Sequence, residues 1–410
     1  MAISASSKTP DLLPYGRHLI EDDDIEAVVN VLRGDWLTQG PVVEAFESAL
    51  ADAVGAKHAV SCSSGTAALH LAAMAAGIGP GDAVVVPANT FLATANVVRM
   101  CGAQVVFADI DPETGLMTAA RAQAAIENAK DAQIRAVMPV HFTGQCASPS
   151  ELSGLAATYE LTVIEDACHA LGTTYTTDGK SVPVGSCAHA HMAAFSFHPV
   201  KTIATGEGGA ITTNDDMLAR RLRDGRNHGL TREAERFVDR TRSFDQAGEP
   251  HPWYYEMHEP GLNYRASDLH CALGVSQLGK LDRFVTSRKS LAAHYDQRLA
   301  ASNTPVHPLA RTPDCDPSWH LYVVRIDFAA IGIERGEFMK RLRAQGIGSQ
   351  VHYIPVPWQP FYDQGNSDED FPGAADYYSH CLSLPLFPSM TTADVDRVVD
   401  ALETILEPAS

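Results

Sequence analysis

Ser196-Phe197-His198-Pro199-Val200-Lys201-Thr202-Ile203-Ala204-Thr205-Gly206-Glu207-Gly208-Gly209 joins two apolar runs, Met192 to Phe197 and Gly209 to Thr212. Both runs read as buried strands, and a lysine followed by a glycine-rich turn is poorly placed there for an ordinary solvated charge. The pattern extends upstream. From about Lys57 to Thr213 further apolar runs recur at His58 to Cys62, Ala83 to Pro87, Gln104 to Ile110, Ile134 to Val140 and Leu161 to Asp166. Helical stretches such as Thr66 to Ala76, Thr90 to Met100 and Ser150 to Tyr159 separate them. Continuous apolar strands alternating with helices predict an α/β fold whose mostly parallel sheet is covered on both faces. Such sheets bind ligands at the carboxyl ends of their strands.

Downstream the character changes. A helical region from Ala266 to Leu281 runs into a charged stretch to about Ala300. The last hundred residues offer a strand at Trp319 to Asp327, a helix near Arg335 to Gln345, a strand at Ser349 to Ile354 and a terminal helix at Thr392 to Leu406. The expected division is a large domain with its N-terminal segment over residues 1–280 and a smaller α+β domain over residues 281–410. The proline-rich, acidic segment Pro355 to Pro372 reads as a surface loop.

With 410 residues, 45% hydrophobic and 20% charged, the chain has the composition of an ordinary globular protein with ample core. A net charge of −19 argues against a nucleic-acid surface, which draws on clustered cations. The eight cysteines are scattered, without metal-ligand spacing, so reduced structural thiols and no metal are expected. Met1 to Lys8 lacks the apolar core of a secretory signal, and no run of about 18 apolar residues occurs. A cytoplasmic protein without membrane attachment is the expectation.

Lys201 gains meaning from what falls at the other strand ends. A primary amine condenses with an aldehyde, and pyridoxal phosphate (PLP) is the cofactor most often held that way. Ser63-Ser64-Gly65-Thr66 lies between a strand and a helix, where backbone N–H groups and hydroxyls converge as a phosphate cradle or as a simple helix cap. Asp166 ends a buried strand and needs a partner, which the protonated pyridine nitrogen of PLP, a cap or an arginine would each supply. His169, three residues on, serves either the cofactor's phenolic oxygen or the structure. Phe91, at the same edge, stacks on a ring or packs in the core.

These stretches, together with Trp36-Leu37-Thr38-Gln39-Gly40-Pro41, Ser64 to Leu69, Glu165-Asp166-Ala167 and Gly261-Leu262-Asn263-Tyr264-Arg265, resemble the DegT/DnrJ/EryC1/StrS family of PLP-dependent sugar aminotransferases from about Tyr15 to the C-terminus. The resemblance implies fold-type I architecture, with Lys201 as the catalytic lysine that joins PLP and Asp166 as partner of the pyridine nitrogen. It further implies phosphate contacts at Gly65, Thr66 and Ser196, stacking by Phe91, and His169 at the phenolic oxygen. Asn263 matches a residue that reaches the neighbouring subunit's site, which implies a homodimer with shared sites. Substrate contacts implied in the same way are Tyr15, Asp35, Trp36, Leu37, Thr38, Gly65, Ser196, Asn263, Gln350, Val351, His352 and Tyr353. Arg265 is an anion contact or a structural pair. His141 departs from the acidic residue that relatives tend to carry there.

Pro252 to Glu256, Trp319 to Tyr322, Gln350 to Pro355 and Leu382 to Pro388 resemble the branch of the family that makes the 4-amino precursor of pseudaminic acid. The implied reaction moves the amino group of L-glutamate to C4 of UDP-2-acetamido-2,6-dideoxy-β-L-arabino-hexos-4-ulose. The products are UDP-4-amino-4,6-dideoxy-N-acetyl-β-L-altrosamine and 2-oxoglutarate. Another UDP- or dTDP-linked 4-keto or 3-keto sugar is the alternative. Related sugar dehydratases carry histidine where this chain has Lys201, which argues against that chemistry. No appended DNA-binding segment supports a non-catalytic regulator.

Overall fold

The computed structural model describes residues 12–363, 365 and 367–407; the stretch Met1 to Lys8 lies outside them. Two helices precede the sheet, and neither is signalled by a long apolar run. In α1 (Asp22–Arg33), three aspartates occupy the first turn, where free N–H groups favour carboxylates, and Glu21 and Asp24 form a capping box. The second, α2 (Pro41–Val54), opens on a proline and stops at Gly55 in the left-handed conformation, φ 72°.

The large domain then runs β1 (His58–Cys62), α3 (Gly65–Ala75), β2 (Asp82–Pro87), α4 (Leu92–Met100), β3 (Gln104–Ala108), α5 (Ala119–Asn128), β4 (Gln133–Val137), α6 (Pro149–Thr158) and β5 (Thr162–Asp166). After a hairpin of β6 (Thr174–Thr177) and β7 (Lys180–Pro183) come β8 (Met192–Ser196), β9 (Gly209–Thr213) and α7 (Asp216–Arg226). Seven strands form one sheet in the order β1-β9-β8-β5-β4-β2-β3. β9 alone runs against its neighbours, antiparallel to both β1 and β8. The carboxyl ends of β1, β2, β5 and β8 therefore share an edge, and β9 begins there. The segment carrying Lys201 leaves and re-enters the sheet on that side.

Burial explains why these strands read as unbroken apolar runs. In β2, Val84 and Val86 pack into one core cluster while Val85 packs into another. α3 is alanine-rich and buried along nearly its whole length, because small side chains let it sit close to β8, β9, α4 and α7.

Beyond α7, β10 (Leu230–Thr231) pairs with β11 (Glu256–Met257) around the short α8 (Arg240–Ser243). Next come α9 (Asp268–Leu278) and α10 (Leu281–Ala301). The first turns of α10 pack Leu281, Phe284 and Val285 with Phe46 and Leu171, whereas Leu291, Tyr295 and Leu299 join the C-terminal core. The C-terminal elements are β12 (Val306–Pro308), β13 (Cys315–Asp316), β14 (Tyr322–Ile326), α11 (Arg335–Ala344), α12 (Pro372–His380), β15 (Cys381–Leu384) and α13 (Thr392–Leu406). β12, β14 and β15 make an antiparallel sheet, while β13 crosses over to pair with β6.

Two sequence expectations fail here for physical reasons. Ser349 to Ile354 is extended but forms no strand: Gln350 makes one bridge to Ser383 in β15, after which Tyr353 N–H is taken by Asn89 Oδ1 at 3.2 Å. The chain is peeled away from the small sheet toward the large domain. Likewise, Pro355 to Pro372 is not all surface loop, since Val356 is fully buried and its N–H donates to Ala88 O at 2.9 Å. Among the described residues, no helix is long and apolar enough to cross a membrane.

Candidate active site

Tyr15, Gly65, Thr66, Phe91, Asp166, His169, Ser196, Lys201, Gln350, Val351, His352 and Tyr353 line one cleft of about 570 Å³ at the shared strand edge. Its floor is built by short, capped connections. Ser64 caps α3, its Oγ accepting from Ala67 N at 3.1 Å, so the cap reading holds for that residue while Gly65 and Thr66 face the cleft. Gly65 has no room for a side chain: an added Cβ would lie 2.6 Å from Ser196 Cβ. That close approach draws the start of α3 against the end of β8.

Asp166 is 5% exposed. One of its oxygens accepts from Thr94 Oγ1 at 2.7 Å and the other from Cys168 N at 3.1 Å, and neither donor is a cation. Thr94 is in turn held by Thr90 at 2.8 Å, one helical turn away. A buried carboxylate oriented in this way is costly unless a cation completes it.

Lys201 stands in a clamped connection. Phe197, buried and edge-on to Phe46 at 5.3 Å, donates to Gly208 O and accepts from Thr205 N, so the intervening chain closes on itself. Lys201 N–H donates to His198 O at 2.8 Å. Burial lowers the pKa of the Lys201 amine below the usual lysine value, with Cys168 and Asp166 pulling in the opposite direction.

The opposite wall carries imidazoles. His169 Nε2 lies 3.3 Å from Tyr353 Oη, and the His169 ring packs 4.3 Å from that of His320. His169 Nδ1 and His320 Nδ1 are buried without a hydrogen-bond partner. Burial holds both rings well below the usual histidine value, with Lys201 adding to the effect. His352, bonded to Ser383 Oγ at 2.7 Å, is pushed down to about 3, again chiefly by burial. These are neutral rings around an amine.

Five expected site residues lie elsewhere. Trp36 and Leu37 are 59% and 50% exposed, and Asp35 and Trp36 border a shallow groove with Val42 and Val275. Thr38 bridges Ser267, and Asn263 is exposed, bridging Asn227. None of these lines the cleft of its own chain. Arg265 donates to Asn227 Oδ1 at 2.6 Å. Conversely, the sequence gives Thr94 no role, and it offers His320 only as part of the stretch Trp319 to Tyr322. The Thr90/Thr94 spacing of four is a usable signal for the first; nothing local assigns the second to the cleft.

The DegT/DnrJ/EryC1/StrS aminotransferase family matches residues 18–403. The spore coat polysaccharide biosynthesis protein SpsC of Bacillus subtilis (strain 168) is 40% identical over 409 residues, covering 98% of this chain and 99% of that protein. Among solved structures, Helicobacter pylori PseC, an aminotransferase involved in the biosynthesis of pseudoaminic acid, aligns with a TM-score of 0.85 at 27% identity, covering 97% of this chain and 100% of its own. Streptococcus pneumoniae Spr1654 in its PLP form gives 0.84 at 27% identity, over 97% and 99%.

PLP is the cofactor of these aminotransferases, and the residues present fit it. An amine with a lowered pKa, a buried carboxylate whose hydrogen-bond donors are both uncharged, and an imidazole nitrogen without a partner among the described residues converge on one cleft. The chain belongs to the DegT/DnrJ/EryC1/StrS family and is a PLP-dependent sugar aminotransferase of fold type I.

Proposed function

We propose that the enzyme transfers the amino group of L-glutamate to C4 of a UDP-linked 4-keto-6-deoxy sugar. The substrate in this reading is UDP-2-acetamido-2,6-dideoxy-β-L-arabino-hexos-4-ulose, and the product is UDP-4-amino-4,6-dideoxy-N-acetyl-β-L-altrosamine. The observation that carries it is the placement of Gln350 to Tyr353 across the cleft from Lys201 and Asp166, in a chain similar to PseC. The 40% identity to SpsC supports a sugar destined for a polysaccharide, and with it the alternative of another UDP- or dTDP-linked keto sugar.

In this reading Lys201 Nζ bonds the cofactor, Asp166 faces the pyridine nitrogen, and Gly65, Thr66 and Ser196 hold the phosphate. Phe91 stacks and His169 faces the phenolic oxygen. When bound, PLP supplies an electron sink for the pair left behind when a carbon loses its proton. The chain's own residues do the rest. Lys201 Nζ, its pKa lowered by burial, takes a proton from the amino-bearing carbon of glutamate and, in the return half, delivers one to C4 of the sugar. Thr94 and Cys168 N fix the orientation of the Asp166 carboxylate. Tyr15, Gln350, Val351, His352 and Tyr353 orient the sugar nucleotide. Asn263 comes from a second copy of the chain, and Asp35 to Thr38 complete the substrate site in the resulting homodimer.

A panel of UDP- and dTDP-linked keto sugars, each offered with glutamate, tests the reading. Selective turnover of the UDP-linked 4-keto sugar with release of 2-oxoglutarate is expected. Turnover of only dTDP-linked or 3-keto sugars overturns the substrate, and no turnover of any keto sugar overturns the C4 transfer itself.

A further inference from the structure

Cys146 and Cys315 are 169 positions apart yet share one contact: Cys146 N–H donates to Cys315 Sγ at 3.2 Å. Their thiols also influence each other's ionisation, and of the eight cysteines only this pair shares a hydrogen-bond contact. The surroundings hold them in register. Gln145 Oε1 accepts from Thr312 N at 2.9 Å, Gln145 Nε2 donates to Ala310 O at 3.2 Å, and β13 pairs Cys315 with Tyr175. Thr173 Oγ1 accepts from Ser318 N at 3.0 Å just beyond. Two separate stretches of chain are thus strapped together around two sulfurs. Nothing in the transamination uses either thiol.

We infer that Cys146 and Cys315 are a peroxide-responsive thiol pair that closes to an intrachain disulfide. The two sulfurs are not equivalent. Cys315 is partly exposed and its Sγ accepts the Cys146 N–H; the neighbouring Cys146 side chain first, against burial, and then that N–H and His141 hold it below the usual thiol value. Cys146 is buried, and the Cys315 side chain and burial push it up. Cys315 is therefore the sulfur that reacts first and Cys146 the one that resolves. The Cys315 thiolate attacks one oxygen of hydrogen peroxide, the O–O bond breaks, and hydroxide leaves a sulfenic acid. The Cys146 sulfur then attacks Cys315 Sγ, its proton joins the departing hydroxyl as water, and the S–S bond forms. In sum, two thiols and one peroxide give one disulfide and two waters, with both sulfurs oxidised and the peroxide reduced.

The location gives the bond a structural effect. The Cys146 segment continues from His141 to Gly144, and Thr143 O accepts from His320 N at 2.8 Å. A disulfide here pins the loop after β4 to the chain leading into β14, closing a long loop across the molecule. An upward shift of the unfolding midpoint by ~5 °C follows from the entropy of a loop that long in a chain of this size.

The test treats the PLP-loaded enzyme with sub-millimolar hydrogen peroxide, quenches with N-ethylmaleimide under denaturing conditions, and maps peptides by mass spectrometry before and after dithiothreitol. The expected result is a Cys146–Cys315 cross-linked peptide, two fewer alkylated thiols, the higher midpoint, and reversal of all three on reduction. Cys146→Ser is expected to leave a dimedone-trappable sulfenic acid on Cys315. Cys315→Ser, at the less buried position, is expected to abolish the cross-link while the other thiols stay reduced. The inference is overturned by cross-links between other cysteines in preference to this pair, by Cys315 passing to sulfinic acid unlinked, or by all eight thiols remaining alkylatable.

Discussion

On one side of the cleft, Asp166 and Ser196 are the last residues of buried parallel strands, and Gly65 begins a helix pressed against them. On the other, Gln350 to Tyr353 make one backbone bridge to the small sheet and are otherwise held by side chains: Ser383 and Tyr377 on His352, Asn89 and His169 on Tyr353. The first wall is set by many backbone pairs; the second is set mostly by side chains, which substitution can change. In the proposed function, the transfer chemistry sits on the first wall and selection among sugars on the second.

Removing the amine should break the comparison most sharply. Lys201→Ala is expected to lower kcat by roughly 10³-fold or more while the fold survives, read from single-turnover rates with glutamate. Asp166→Asn keeps the shape and removes the charge; a loss of roughly 10²-fold in both half-reactions is expected. Thr94→Val tests whether that carboxylate needs its orienting hydroxyl. A loss of about tenfold in kcat, with little change in KM, is expected from one charge-assisted hydrogen bond. Across the cleft, Gln350→Ala should raise KM for the keto sugar by up to about tenfold and leave the glutamate half-reaction untouched. An equal loss in both halves would merge the two walls into one functional unit.

The smallest effect concerns acid. Burial, with Lys201 adding to it, pushes His352 down to about 3, against about 6.5 for a free histidine. The neutral ring's contribution to stability is thus complete above pH 6.5 and is lost as the pH falls from there through 3. The melting temperature should drop over that interval, and His352→Gln should make the drop shallower.

The first wall was the more legible in sequence for the same reason that it is rigid. Strands buried on both faces must be continuous apolar runs, and helix starts must be capped, so Asp166 and Ser196 announce their places at strand ends and Lys201 its place in the connection between two strands. Gln350 to Tyr353 misled because a β-branched, aromatic run looks like a strand whether or not a partner strand takes its N–H groups; here Asn89, more than two hundred residues away, takes one. Thr94 sits inside a helix, where only its spacing of four from Thr90 sets it apart. His320 lies in a stretch that stands out, Trp319 to Tyr322, but its place could not be read, since what makes it notable is the ring of His169 beside it. Asp35 to Thr38 and Asn263 stand out as motifs, yet a single chain leaves them outside its cleft.

The reversed direction of β9 also bears on how the enzyme can be altered. Because the strand starts on the edge where β8 stops, the Lys201 connection is tethered at both ends, with Phe197 fastening its two sides. Lengthening that span by even a few residues would let the amine swing out of reach. The same insertion between Thr177 and Lys180, at the exposed tip of the β6–β7 hairpin, should pass unnoticed. Loop grafting between relatives therefore has a permitted region and a forbidden one, and the sheet's single antiparallel strand marks the boundary.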